Sequence, residues 1–265
     1  MNGILADTLV ELKERKIVYL FAFATVLALL VIFAGDKLGD EFNMNMGDLE
    51  GQGVADGFVA SAMANGFSIF MTILIFLAAM ATAGLIPAML EKGRSEFYLA
   101  RPLSRTRLLL SRVFSIWLIY GLLIMACGLV ALAFSAMLLG FAEGRIVWLF
   151  AVYWLNFLIW FSIICLGGLL FRSASGAIML AFMVWLLRKV PGLLDWANQV
   201  VDWKSIQWTR DIIYYLVPDS SGMGDVAVAL AVGQPVTNWM PLWHSTLVAV
   251  AMLLVAVWVF KRRDY

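Results

Sequence analysis

One histidine, His244, and two cysteines, Cys127 and Cys165, are the only soft ligands beyond methionine, and they lie far apart in the sequence. A structural zinc site needs about four His or Cys ligands in close spacing, so none is expected. Both cysteines sit inside apolar runs, which makes them buried thiols and not a disulfide framework. Met44 and Met46 offer two thioethers of the kind that bind Cu(I), too few without a nearby His or Cys. A Ser–His hydrolase would have to use His244, yet no serine sits in a recognisable nucleophile setting, and a histidine beside Trp243 suits an interfacial anchor. A P-loop needs a Gly-Lys-Ser/Thr turn to cradle phosphates, and the chain has no Gly-Lys dipeptide. Asn65, Ser68, Thr72 and Asn156 are scattered polar residues within apolar stretches and make no catalytic constellation. The chain therefore holds no cofactor and no metal of its own.

One run does carry chemistry. Residues 90–107 alternate basic and acidic groups around an aromatic pair, with Glu91, Arg94, Glu96, Phe97, Tyr98, Leu99, Arg101, Pro102, Ser104 and Arg105 as the informative positions. Residues 91–101 can form a short helix with Phe97, Tyr98 and Leu99 at its end. Pro102 stops it, and Ser104 can cap the helix that follows. An aromatic-bearing helix between basic residues suits docking onto a protein partner. The competing reading is a belt of snorkelling basic side chains that only anchors the neighbouring helix ends.

The elements that must position this run are membrane helices. Of 265 residues 63% are hydrophobic and 14% charged, against roughly 45–50% and 25% in a soluble domain, which excludes a soluble enzyme. A net charge of +1 leaves no basic field for nucleic acid. Charge-free stretches fall at 17–35, 57–90, 113–142, 146–171, 173–187 and 226–260. About 20 apolar residues cross a bilayer. The fifth stretch is short: it either spans with Arg188 and Lys189 snorkelling outward or is re-entrant. With six crossings the two termini share a side that holds thirteen of the nineteen Lys and Arg residues, and the positive-inside rule makes that side cytoplasmic. Five crossings would strand Lys261, Arg262 and Arg263 outside.

The expected fold is thus an all-α polytopic protein of the cytoplasmic (inner) membrane. An interfacial helix over 1–16 precedes a single domain over 17–265 with spans about 17–35, 58–87, 109–139, 146–171, 173–190 and 242–260. Residues 88–108 form the cytoplasmic loop described above, and 36–57 and 191–241 form outer loops. Leu5, Leu9, Leu12 and Lys16 at helical spacing mark the interfacial helix, with Glu11 and Arg15 paired on its other side. The first span is expected to stay uncleaved, because its sixteen leading residues include Asp7, Glu11 and Glu14. The first outer loop is acidic, without the spacing of a calcium loop, and could meet a cation or an outer partner. Leu193, Trp196, Val200 and Trp203 outline an amphipathic helix, and six of the eleven tryptophans fall between Trp185 and Trp243. One or two helices lying on or dipping into the outer leaflet follow.

The order Glu91…Leu99-Ala100-Arg101-Pro102-Leu103-Ser104-Arg105…Leu109-Leu110 resembles the signature loop of type-2 ABC transporter permeases. The ending Phe260-Lys261-Arg262-Arg263-Asp264-Tyr265 is also similar to the family's usual C-terminus, while Gly93-Arg94-Ser95 replaces the Gly-Thr common in the acidic turn. The resemblance implies two permeases, identical or paralogous, over two ATP-binding subunits that supply ATP and Mg. Residues 91–101 would then be the coupling helix, and the outer helices over 191–218 would close the pathway. It also places the second span at the permease contact. Ala60, Ala64, Ala79 and Ala83 lie at four-residue spacing there and permit close approach to a partner helix or, equally, packing inside the subunit.

Two other readings compete with this one. An ion-coupled secondary transporter carries charged or strongly polar residues in its spans, and these spans are nearly free of them. A membrane platform whose ATPase drives an extracytoplasmic accessory protein is the nearer rival. The apolar, aromatic spans favour lipid-like, peptide-like or amphipathic cargo over small ions.

Overall fold

The computed structural model describes residues 2–14, 16–46, 52–90, 105–139, 143–200 and 204–262. Every regular element among them is a helix. They are α1 (Asn2–Glu14), α2 (Ile17–Met46), α3 (Gln52–Thr82), α4 (Leu85–Met89), α5 (Arg105–Leu139), α6 (Ile146–Phe171), α7 (Ala174–Val200), α8 (Lys204–Leu216), α9 (Ser220–Val232) and α10 (Met240–Arg262). The cause is the solvent. In hydrocarbon no water can satisfy a backbone N–H or C=O, so a spanning segment must close its hydrogen bonds within itself.

Among the described residues five stretches are long and apolar enough to cross a membrane: Ala60–Met89, Thr106–Leu138, Ile146–Phe171, Ala174–Gly192 and Met240–Arg262. The expected first span falls on α2, whose apolar part, Ile17–Val31, is shorter. The structure therefore supports five crossings by length and composition, with the sixth resting on α2.

Helix α6 is the hub. Of its apolar window 67% is buried, against 17% for α7 and 22% for α10, so α6 is enclosed while those two present most of their surface outward. It packs on α3, α5, α7, α9 and α10. Phe150, Phe157 and Phe161 are fully buried along it, and the Tyr120 ring of α5 stacks on Phe157 at 6.3 Å between centroids. The hairpin from α6 to α7 is tight. Arg172 adopts a left-handed φ of 51° and donates its N–H to the Gly168 carbonyl, and the Ser173 hydroxyl caps α7 through the Gly176 N–H at 3.1 Å.

Two elements differ from the sequence expectation. The span expected to end near 190 continues through Pro191 as one helix to Val200. Proline deletes a single N–H donor, and the apolar period after it carries on in phase with a helix. The second is α9, which lies within the expected outer loop 191–241. Its Met223, Val226, Ala227 and Ala231 are buried, and it packs against α6, α3 and α10. The polar head Ser220-Ser221-Gly222 and the Gly233 and Pro235 that follow α9 mask an apolar half-helix of 13 residues, ~20 Å long at 1.5 Å per residue. That length is short of a full span and suits a helix that enters the bundle and stops.

Candidate functional site

A polar seam runs through the apolar bundle, and it begins on α3. Ser61, Asn65, Ser68 and Thr72 are separated by four, three and four residues, which keeps them on one face over ~16 Å of helix. Asn65 and Thr72 are exposed, and Ser61 and Ser68 are half-buried. Each turn satisfies the next: Asn65 Nδ2 donates to the Ser61 carbonyl at 2.8 Å, and Thr72 Oγ1 donates to the Ser68 carbonyl at 2.8 Å. Tyr153 of α6 closes the inner side, sharing a 2.6 Å hydrogen bond with Ser68 and a 3.4 Å one with Thr72. Beside this stripe α3 exposes Ile69, Ile73, Phe76 and Met80 at the same spacing. The open face of α3 therefore joins a polar edge to an apolar one.

The seam continues on α6 and meets the start of α9. Ser220 Oγ donates to Asn156 Oδ1 at 3.0 Å, and Trp160 Nε1 donates to Ser220 Oγ at 3.2 Å. Asn156 and Trp160 lie ten and fourteen residues beyond Ile146, so α9 begins ~15–20 Å inside the bundle. It ends where α6 begins: Gly233, at φ 80°, lies against Arg145, whose guanidinium a Cβ there would meet. Between these ends Gly224 passes the seam, and a Cβ on it would sit 3.2 Å from the Tyr153 hydroxyl and 3.9 Å from Ser68 Oγ.

Asp219 organises the base of α9. Its Oδ1 accepts from the Gly222 N–H at 3.0 Å and from Ser221 Oγ at 3.1 Å, an N-cap, while Oδ2 pairs with Arg188 Nη2 of α7 at 2.5 Å. Its own N–H donates to Ser245 Oγ of α10 at 2.8 Å. Arg188 also lies over the Tyr214 ring of α8, 4.8 Å from its centroid. The sequence expectation had Arg188 snorkelling outward if the fifth stretch spans, with a re-entrant helix as the alternative, and Asp219 in the outer loop 191–241; the structure turns the two toward each other, mostly buried. Neighbouring His244 donates from Nε2 to the Tyr215 carbonyl at 2.8 Å and faces the rings of Tyr214 and Tyr215, a binding mode that holds α8 onto α10.

The other end of the bundle carries a second ion pair. Arg112 of α5, 4% exposed, donates from Nη1 to Thr8 Oγ1 at 2.9 Å and pairs through Nη2 with Glu11, both on α1. Thr8 and Leu12 are buried with it, while Leu9 is exposed, so the packed face of α1 runs through Thr8, Glu11 and Leu12, and the leucine stripe is divided between the bundle and the outside. The sequence reading placed Glu11 with Arg15, which lies outside the described residues; a contact spanning 101 positions leaves no periodic signal. Arg112 stands one short helical stretch beyond Arg105, where α5 begins.

Of the residues predicted to dock a partner, Glu91, Arg94, Glu96, Phe97, Tyr98, Leu99, Arg101, Pro102 and Ser104 lie outside the described residues, and Arg105 opens α5. The chain is delivered to this segment by α4, with Leu85, Ile86 and Met89 buried. Of the four alanines of the second span, Ala64, Ala79 and Ala83 are buried within the chain and Ala60 half-buried; Ala79 and Ala83 pack against Ile164 and Ala177. The sequence reading took Asn65, Ser68 and Thr72 as scattered; their helical spacing with Ser61 was the signal that could have joined them. The seam's further members Tyr153 and Ser220 left no such signal.

The family profile described as "ABC-2 family transporter protein" matches residues 7–265. No curated protein matches the chain. A multi-pass helical bundle matched over nearly its whole length by that profile belongs to the ABC-2 transporter family, as a membrane permease, a membership that implies an ATP-binding partner subunit.

Proposed function

We propose that the chain is one of two permeases in an ABC exporter of the cytoplasmic (inner) membrane, with six crossings and both termini in the cytoplasm. Residues 91–105 dock on the ATP-binding subunits, present as two copies. Closure of those subunits on ATP and Mg rocks the permeases and moves a substrate outward. The single observation that carries this reading is the open face of α3. An exposed amide and hydroxyl at bilayer depth, Asn65 and Thr72, are costly against lipid tails and suit a shared polar lining or a partner helix. A second permease, a copy or a paralogue, would pack along α3, the span that carries Ala60, Ala64, Ala79 and Ala83, with the apolar edge of Ile69, Ile73, Phe76 and Met80 beside the polar one. The cargo suited to hydroxyl and amide donors without net charge is amphipathic and neutral or zwitterionic.

The test uses the permease expressed with its ATP-binding subunit. Replacing Tyr98 and Arg101 by Ala should lose the ATPase on purification or uncouple hydrolysis from transport. Unchanged co-purification and turnover would remove the docking role from residues 91–105.

A further inference from the structure

Helix α9 is a discrete half-helix within the bundle. It is flanked by non-helical residues 217–219 on one side and by Gly233 and the irregular 234–239 on the other. Its apolar side chains Met223 and Val226 are buried against α6, α3 and α10, and Gly222, Gly224, Ala227 and Ala231 let the helices approach closely; apolar packing is non-directional, so the polar contacts at its base are what fix its position. At its base three helices reach it through polar groups: Asn156 and Trp160 from α6, Ser245 from α10 and Arg188 from α7. Only the Arg188 contact is ionic. A hydroxyl bond can be exchanged for a water or a neighbouring carbonyl at small cost, whereas separating two unit charges in a low-dielectric interior leaves each uncompensated.

We infer that Asp219 and Arg188 are positioning residues forming a latch, which ties the base of α9 to α7 and thereby keeps α9 seated over the Ser68–Tyr153 part of the polar seam. The inference deepens the export reading and rests on it for its purpose, but not for its geometry. Asp219 does two separable jobs. Its Oδ1 caps α9 and its Oδ2 carries the latch. Asparagine can keep the cap, since its side-chain oxygen still accepts from the Gly222 N–H, and it abolishes the charge. Arg188 meanwhile stacks on Tyr214, so motion of α7 carries the end of α8 along with the latch. Releasing the pair frees α9 from α7 without unfolding α9.

The experiment needs no substrate and no ATPase. Met223 is fully buried on α9, and the native thiols of Cys127 and Cys165 are buried as well, so the unsubstituted chain supplies the background. In the full-length chain in lipid nanodiscs, with Met223→Cys introduced, a bulky soluble maleimide reports how often α9 lifts. Asp219→Asn or Arg188→Gln should each speed labelling at least tenfold. The double variant should label no faster than the quicker single variant, and Arg188→Lys should stay within about threefold of the starting chain. Unchanged labelling in both single variants overturns the latch, and so does a multiplicative effect in the double variant, which would mean that the two residues act separately. Should either charge variant fail to fold, the disulfide pair Ser220→Cys/Asn156→Cys in the otherwise native complex gives the second measure. It should stop nucleotide-driven turnover until reduced, and full turnover with the crosslink formed overturns the inference. Loss of the ATP-binding partner on purification strikes the export reading alone and leaves the labelling result standing.

Discussion

Replacing Arg112 by Met should free α1 from the bundle. The structure sets the size of the effect. Arg112 is 4% exposed, its Nη1 bonds Thr8 Oγ1 at 2.9 Å, and its Nη2 pairs with Glu11, whose side chain is 15% exposed. Breaking a buried pair by removing one member costs about 3–5 kcal/mol, because the other charge is left uncompensated. Glu11 keeps some contact with solvent, so the loss lies toward and below the lower end of that range, about 2–4 kcal/mol. Methionine conserves most of the apolar stem and separates the lost charge from a lost volume. At 1.4 kcal/mol per factor of ten, local opening of α1 becomes about 30- to 700-fold more frequent.

Limited trypsin digestion reads that opening directly, since Lys13 and Lys16 flank the α1–α2 turn. Cleavage there should track the open population while the remaining helices stay intact. Arg112→Lys keeps one charge but cannot serve Thr8 and Glu11 at once, so it should fall between the parent and Arg112→Met. Arg112→Met combined with Glu11→Gln should be cut more slowly than Arg112→Met alone, because the carboxylate that faced Arg112 no longer carries a charge into the bundle. Cleavage of Arg112→Met at the parent rate would refute the claim that this pair holds α1. So would a combined variant that is cut faster than either single one.

Tyr153→Phe removes the hydroxyl that bonds Ser68 at 2.6 Å and Thr72 at 3.4 Å, at a cost of about 1 kcal/mol, and should lower the thermal midpoint in detergent by about 2–4 °C. An unchanged midpoint would mean that water or a neighbouring carbonyl takes over. Gly233→Ala places a Cβ at φ 80° and against the Arg145 guanidinium; the side chain can swing away, so the backbone strain of about 1–2 kcal/mol decides the loss. Gly66→Ala, with open space around it, should show no such loss in the same thermal assay.

What the sequence made legible follows from where charge is tolerated. The stretch bounded by Arg145 and Arg172 is α6, because a charge at bilayer depth is costly enough to mark the ends of a helix enclosed on nearly every side. Helix α9 was hidden for the complementary reason. Its head carries Asp219, Ser220 and Ser221, which read as loop when their partners are unknown, and those partners sit on α6, α7 and α10, between 26 and 64 positions away. Pro191 likewise marked an end that the backbone does not observe. The polar spacing of Ser61, Asn65, Ser68 and Thr72 was on view throughout. Only the exposure of Asn65 and Thr72 beside Tyr153 distinguishes a lining from four tolerated polar residues.

The scarcity of ionisable groups in the apolar stretches therefore takes on a different meaning. Two ion pairs lie largely inside the bundle among the described residues, Arg112 with Glu11 and Arg188 with Asp219. Neither offers vacant coordination for a travelling ion, as an ion-coupled carrier requires, since each carboxylate already holds a guanidinium. Both join elements that apolar packing alone would leave free to slide, because burial is non-directional whereas an ion pair fixes one geometry. One pair fastens α1 to the start of α5, the helix that follows the segment proposed to dock an ATP-binding subunit. The other fastens α9 to α7 at the polar seam. Under the proposed ATP-driven reading, these two pairs among the described residues would serve as the rigid joints at the input and at the closure.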